Sequence, residues 1–308
     1  MCDNGHIPVL QNEIFNSLQP KDGEVIVDLT AGRGGHATLL ASSIKPKSII
    51  LFDLDNANLQ YASDRLQIET GIKPLVFHAN FATAAQILIK NKIQANIVLA
   101  DLGFASNQMD DAIRGMSFMR DGPLDMRLNR ESNRTAAEIV NSYSEIELAD
   151  LIFRLGEDPF SRQIARKIIL ERAKEPIHST TRLAKVVRDA YGSKAHSSRM
   201  NPATRTFMAL RIAVNDELMA LDALLHDIEA SCHQGDEGWL SNSARLGVIS
   251  FHSLEDRKVK QTFTTLEKIG LANRINRKPI QATDEEVANN PRARPAKYRA
   301  IRVLHTSS

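Results

Sequence analysis

Four side chains, Asp28, Asp53, Phe81 and Asp101, each stand at or just beyond the carboxyl end of a short apolar run. In open α/β sheets ligands bind outside those strand ends, so the four together predict a ligand cleft better than any one alone. Between the first two lies Gly32-Arg-Gly34-Gly35-His36, followed by a helical pattern. Glycines let the backbone turn tightly and approach a ligand with no Cβ in the way, beside a helix N-terminus. Asp53 suits a ribose hydroxyl and Phe81 either the flat face of an adenine or a place in the core, so adenosine cofactors fit the set. Gly32-x-Gly34-x-x-Ala37, with Asp53 and Asp55 near the expected spacing, formally satisfies the dinucleotide pattern. Asp28 opposes that assignment, because its carboxylate would face a pyrophosphate. The same charge suits the ammonium and sulfonium groups of S-adenosylmethionine. The residues favour the methyl donor; a dinucleotide, or a β–α turn with no ligand, stays as an alternative.

A parallel sheet is needed to bring these residues together. Residues 25–29 and 48–52 read as buried strands of it and 74–78 and 93–102 as its third and fourth strands, with helices from about His36 and over 57–66 between them. Asn80 and Phe81 follow the third strand, and Asp101-Leu-Gly-Phe104 with Gln108 follows the fourth. The rhythm then changes. Residues 109–134 are rich in arginine, glycine and acid, with neither period, which suits a functional loop. Helical patterns occupy 136–155, 160–174 and 180–190, stopping at Gly156, before Pro176 and at Gly192. Asn201 and Pro202 read as the cap and first residue of a long helix reaching about Ala230. Strands are expected again at 245–251 and 298–304. Ser253 with Asp256 resembles a capping box for a helix through Lys268, and 271–297 reads as an extended loop. The organisation predicted is an α/β, Rossmann-like domain in two parts, 1–108 and 213–308, around a helical insert at 109–212.

Composition bounds the partners. The chain has 308 residues, 43% hydrophobic and 25% charged, with a net charge of only +2, so any nucleic-acid surface must be local. Cys2 and Cys232, far apart, suggest neither a disulfide framework nor a zinc site. No run of 18 apolar residues and no leader-like N-terminus is present, which reads as a cytosolic protein with no membrane partner.

Several motifs recur together in one family. They are His6-Ile-Pro-Val-Leu10, Asp28-x-Thr-x-Gly-x-Gly-Gly-His36, Asp101-Leu-Gly-x-x-Ser106-x-Gln108 and Arg114-Gly-x-Ser-Phe118. Asp121-Gly-Pro-Leu-Asp-Met-Arg127, Pro202-Ala-Thr-Arg-x-Phe207, Val248-Ile-Ser-Phe-His-Ser-Leu-Glu-Asp-Arg257 and Asn290-Pro-Arg-Ala-Arg294 complete the set. Over nearly its whole length the chain resembles the MraW family of ribosomal small subunit methyltransferases. The resemblance implies a class I methyltransferase fold with an inserted helical domain. It also implies transfer of methyl from S-adenosylmethionine to the N4 amino group of a cytidine in the decoding region of 16S rRNA. Donor contacts carry over onto Gly34, Gly35, His36, Asp53, Phe81, Asp101 and Gln108. The chain departs from the family pattern at Ala105-Ser-Asn107, at Met208, and at Ser241-Asn-Ser243, where the family has Pro-Gly-Gly. The oligomeric state stays open, a homodimer included.

The N4 lone pair of cytosine is delocalised into the ring, so accepting a hydrogen bond from the amino protons helps the attack. Asp101 is placed for that, or for donor binding alone. Asp125 and His252 are further catalytic candidates, with local bracing of their loops as the plain alternative. Arg114, Arg120, Arg127, Arg130, Arg134, Arg205, Arg257, Lys258, Arg292 and Arg294 fall in loops or element ends and are expected to meet RNA phosphates, with a solvated charged face as the plain alternative. A ribosome-assembly factor that keeps the fold without transferring methyl is the alternative function.

Overall fold

In the computed structural model, which describes residues 7–197 and 200–305, the apolar run ending at Asp28 is strand β1 (Val25–Asp28), buried throughout. Cys2 and His6 lie outside the described residues, as does the side chain of Ser106. A short helix α1 (Gln11–Leu18), which the sequence reading missed, precedes β1. The chain then alternates α2 (Gly35–Ala41), β2 (Ser48–Asp53), α3 (Asn56–Thr70), β3 (Leu75–His78), α4 (Ala84–Lys90) and β4 (Ala95–Asp101). Strands β5 (Leu240–Ser250), β6 (Ala272–Arg274) and β7 (Lys297–Val303) complete a seven-stranded sheet in the order β3-β2-β1-β4-β5-β7-β6. The first five strands in that order pair in parallel, while β7 runs antiparallel to both β5 and β6. An all-parallel dinucleotide sheet lacks that reversed strand; its place between β5 and β6 is the class I methyltransferase arrangement.

The chain divides into two compact units, one running up to Gly103 and again from Leu218, the other spanning Phe104–Glu217. The insert therefore extends five residues beyond each of the limits, 109 and 212, that the sequence pattern predicts. In the sheet unit, alternation along β1 sends side chains to opposite faces. Val25 and Val27 join a core with Phe52, Trp239 and Phe263, while Ile26 joins Leu10, Ile14, Leu40 and Tyr298.

The helical unit contains α5 (Ser106–Asp110), α6 (Ala136–Ser142), α7 (Glu145–Gly156), α8 (Ser161–Arg172), α9 (Thr180–Tyr191), α10 (Lys194–Ser197) and α11 (Ala203–Asn215). The single helix expected over 136–155 is therefore two. Ser144 Oγ accepts from Glu147 N and the Glu147 carboxylate accepts from Ser144 N at 2.7 Å, a capping box that starts α7 afresh. The long helix expected to Ala230 is also broken. Asp216, in a left-handed conformation (φ 49°) that aspartate tolerates better than most residues, separates α11 from α12 (Glu217–Gln234).

Two further expectations change in the last third. Helix α13 (Ser253–Lys268) is capped one residue earlier than expected: His252 Nδ1 accepts from Glu255 N at 3.4 Å, and Glu255 accepts from Phe251 N at 2.8 Å. Asp256, the residue expected to close that box, instead receives Arg299 Nε at 2.7 Å. The stretch 271–297 is not simply a loop, since it holds β6 and a helix α14 (Asp284–Asn289). Among the described residues no helix is long and apolar enough to cross a membrane.

Candidate active site

Thr30, a residue of the glycine-loop motif with no role evident from sequence, ties the ends of β1 and β4. Thr30 N donates to Asp28 Oδ1 at 3.1 Å, and Thr30 Oγ1 accepts from Asp101 N at 2.6 Å. Asp28 is buried, and burial pushes its carboxyl up to about 6, with His36 and the Thr30 amide pulling the other way and Asp101 and Asp53 adding to the rise. His36, on the first turn of α2, is buried too, with Nε2 3.5 Å from Asp101 Oδ2. Neither His36 ring nitrogen nor Asp101 Oδ1 has a hydrogen-bond partner among the described residues. Buried polar atoms are nearly always satisfied, so these three atoms are open to hydrogen bonds from a polar ligand.

The glycine loop is shaped by close packing. Gly34 has φ 76°, left-handed backbone that disfavours a side chain, and a Cβ there would stand 3.1 Å from Ala62. At Gly35 a Cβ would come within 2.4 Å of Pro8 Cγ. The N-terminal segment carrying Pro8 is itself held from the far end of the chain. Asn290 Nδ2 donates to Ile7 O at 3.0 Å, and Leu10 N donates to Glu286 Oε1 at 2.7 Å. These two motifs, separated by 283 positions, thus brace the loop together.

Asp53 closes the other side. Its carboxylate accepts from Gly32 N and from Asp55 N, each at 2.7 Å, and burial raises it to about 6 against those two amides. Each oxygen retains a lone pair for a ribose hydroxyl. Phe81 begins a single 3-10 turn capped by Asn80 Oδ1, and is half-buried against the main core, leaving part of its ring free. The loop, the two carboxylates, the imidazole and the half-open ring fit S-adenosylmethionine. Asp28 is the carboxylate that a cationic donor would pair with.

His252 is half-buried and spends Nδ1 on the cap of α13, with Nε2 3.2 Å from Glu255 Oε1. The cap braces the loop after β5, while Nε2 makes no hydrogen bond among the described residues. Arg257, Arg292 and Arg294 are exposed on the sheet unit.

The remaining expected residues belong to the helical unit. Gln108 is buried, and its Oε1 accepts from Ala105 N at 2.9 Å as part of the α5 cap. Asp125 grips Arg127 through two bonds of 2.8 and 2.7 Å, and Arg127 Nη1 also donates to Arg130 O and Ser132 O. Burial pushes the Asp125 carboxyl up, but the Arg127 bonds outweigh it and leave it below the usual range. Arg114 donates to Leu128 O, Arg134 to Asp216 and Arg205 to Glu157 O. Asn215, which sequence reasoning missed, clamps the same loop by accepting from Leu128 N and donating to Met126 O, both at 2.8 Å. Arg120 and Arg130 are exposed; the former donates to Asp110 O at 3.4 Å and the latter reaches Asp111 at 3.8 Å.

Comparison with known proteins gives the chain's family. The pattern defining the MraW methylase family matches residues 3–304. A ribosomal RNA small subunit methyltransferase H from Synechococcus sp. (strain CC9902) is 43% identical over 96% of this chain and 97% of its own length. Its namesakes from Syntrophotalea carbinolica and Geobacter sp. (strain M21) are 42% and 39% identical, over 97% and 98% of this chain and 98% and 99% of theirs. A solved rRNA methylase from Streptococcus thermophilus aligns over 96% of this chain and 93% of its own at 11% identity and a TM-score of 0.39, too remote to bear on the site.

Proposed function

The chain belongs to the MraW methylase family, and from that premise we propose that it transfers methyl from S-adenosylmethionine to the N4 amino group of a cytidine in the decoding region of 16S rRNA. The observation that carries the reading is the strand-end cluster of buried Asp28 and His36 with half-buried Asp101, in which both His36 ring nitrogens and Asp101 Oδ1 are unsatisfied among the described residues. When bound, the donor supplies an electrophilic methyl group on a sulfonium. Gly34, Gly35, His36, Asp53 and Phe81 are the proposed donor contacts. Gln108 joins them by resemblance alone, its side-chain oxygen being bonded to Ala105 N. Asp101 keeps Oδ1 for the acceptor: taking a hydrogen bond from the amino group localises the nitrogen lone pair for attack. The target base must be unstacked to present that nitrogen. The presence of every strand-end residue argues against a factor that keeps the fold without transfer.

The helical unit is proposed to engage the RNA, and a ribosomal substrate places the work in the cytoplasm. Arg120, Arg130, Arg257, Arg292 and Arg294 are exposed and are the proposed phosphate contacts. Arg114, Arg127, Arg134 and Arg205 donate to carbonyls or carboxylates of their own unit and act first as braces.

Asp101→Asn tests the acceptor role. The amide keeps size and weakens the accepted bond, so donor affinity measured by calorimetry is expected to change less than fivefold while single-turnover methyl transfer falls about a hundredfold or more. Loss of donor affinity with transfer intact at saturating donor would assign Asp101 to donor binding instead.

A further inference from the structure

We propose that the groove between α8 and α9 is a docking surface for the phosphodiester backbone of the RNA substrate, an inference that rests on the rRNA methyltransferase reading above. The two helices carry seven basic side chains and two acidic ones, in a chain whose net charge is +2. Within the same unit, α6 and α7 carry four acidic side chains and one basic. Charge is therefore segregated by helix pair, and of these two pairs α8 and α9 are the one that attracts a polyanion.

The groove has a volume of about 390 Å³ and is lined by Arg162, Gln163, Arg166, Lys167, Leu170 and Ala190. Arg162 is exposed and makes no hydrogen bond or ion pair with any described residue. Arg166 is 74% exposed and reaches only Glu145, at 3.5 Å, on the unit's acidic helix. Lys167 is shared with Glu171 at 3.0 Å. Arg127, Arg134 and Arg205 of the motif segments are by contrast already bonded within the unit. Arg162 and Arg166 stand one helical turn apart, so their guanidinium forks can take phosphate oxygens along one strand. Leu170 and Ala190 offer the carbon face of a ribose an apolar floor, and the absence of any aromatic from the lining makes a poor anchor for a protein partner.

The test uses the full chain with unmodified small ribosomal subunits. Arg162→Gln/Arg166→Gln is expected to raise KM about tenfold near 0.15 M salt. It should also flatten the plot of log kcat/KM against log salt by about 1.4 to 1.8, the share of two phosphate contacts. Donor affinity and Tm should stay at wild-type values, and Arg162→Lys/Arg166→Lys should restore most of the slope. Unchanged KM and slope, with wild-type transfer normal, would overturn the groove and leave the function standing. No transfer by the wild type would overturn both. Filter binding to protein-free 16S rRNA separates the occupants: a parallel loss supports RNA. A loss seen with subunits alone would put a ribosomal protein in the groove and overturn the proposal.

Discussion

Asp28 and Asp53 are costly residues for an unliganded protein. Both carboxyls are pushed up to about 6 by burial, from an ordinary value of 3.8. Between those values the folded chain holds protons that the unfolded chain has released, so these groups lower stability as pH rises through the window. A cationic donor prefers the ionised carboxylates, so its affinity should move the other way. Calorimetry between pH 5 and 7 is expected to show S-adenosylmethionine binding more tightly with rising pH, by up to about tenfold per pH unit for one linked proton; a flat profile would remove these carboxylates from the donor site. Asp53→Ala should weaken the donor by roughly ten- to a hundredfold, the loss of a charge-assisted hydrogen bond. Cys232 gives the complementary case. Burial raises its thiol to about 12 on the inner face of α12, so no thiolate is available for attack on a pyrimidine ring. Cys232→Ser is expected to retain methyl transfer, and loss of activity in a folded variant would point to carbon rather than nitrogen as the acceptor.

The helices, strands and loops place these side chains, and much of that placement is legible in local pattern. A β-branched run meeting a glycine loop reveals Asp28, and two similar runs reveal Asp53 and Asp101, because strand, turn and helix are all specified within about a dozen residues. What escapes is what depends on partners far along the chain. Thr30 matters because β1 lies beside β4, and Pro8 matters because Glu286 and Asn290 hold its segment. Gly35→Ala should therefore disturb the donor loop and weaken donor binding at least tenfold. Pro8→Ala removes the clashing Cγ, so Pro8→Ala/Gly35→Ala should recover much of that affinity; additive losses in the double-mutant cycle would deny the contact.

The same limit explains the arginines. Composition marks 109–134 as a basic functional loop, but only the folded path reveals that Arg127 is spent on Asp125, Arg130 O and Ser132 O. Arg127→Ala is expected to lower stability by about 1.5–3 kcal/mol, whereas Arg130→Ala should leave Tm unchanged and flatten the salt dependence of kcat/KM. The reverse outcome would return Arg127 to the RNA surface. Ser243 is a second case. It adopts φ 64° on β5 where the family resemblance expects a glycine, next to a register shift against β4. Ser243→Gly, at an exposed position, should stabilise the fold by about 1 kcal/mol, read as a rise in the thermal midpoint.

At the scale of the whole molecule, the sheet order separates this protein from a dinucleotide enzyme more firmly than its glycines do. Gly32-x-Gly34-x-x-Ala37 satisfies either cofactor, but an antiparallel β7 between β5 and β6 belongs to the methyltransferase arrangement. That distinction was half legible: the last strand is visible from its apolar run, while three-residue β6 is too short to carry a period. The near-neutral net charge likewise conceals the basic face of α8 and α9, since acid on α6 and α7 offsets it in any whole-chain count. Together, these features describe a cationic methyl donor held at strand ends, a nitrogen acceptor that needs no nucleophilic thiol, and an RNA substrate. The most direct measurement is transfer of labelled methyl from S-adenosylmethionine to small subunits that lack the modification, followed by nucleoside mass analysis of the 16S rRNA. Label is expected in N4-methylcytidine at a single position, abolished by Asp101→Ala; label in 5-methylcytidine, or none, would contradict transfer to the amino nitrogen.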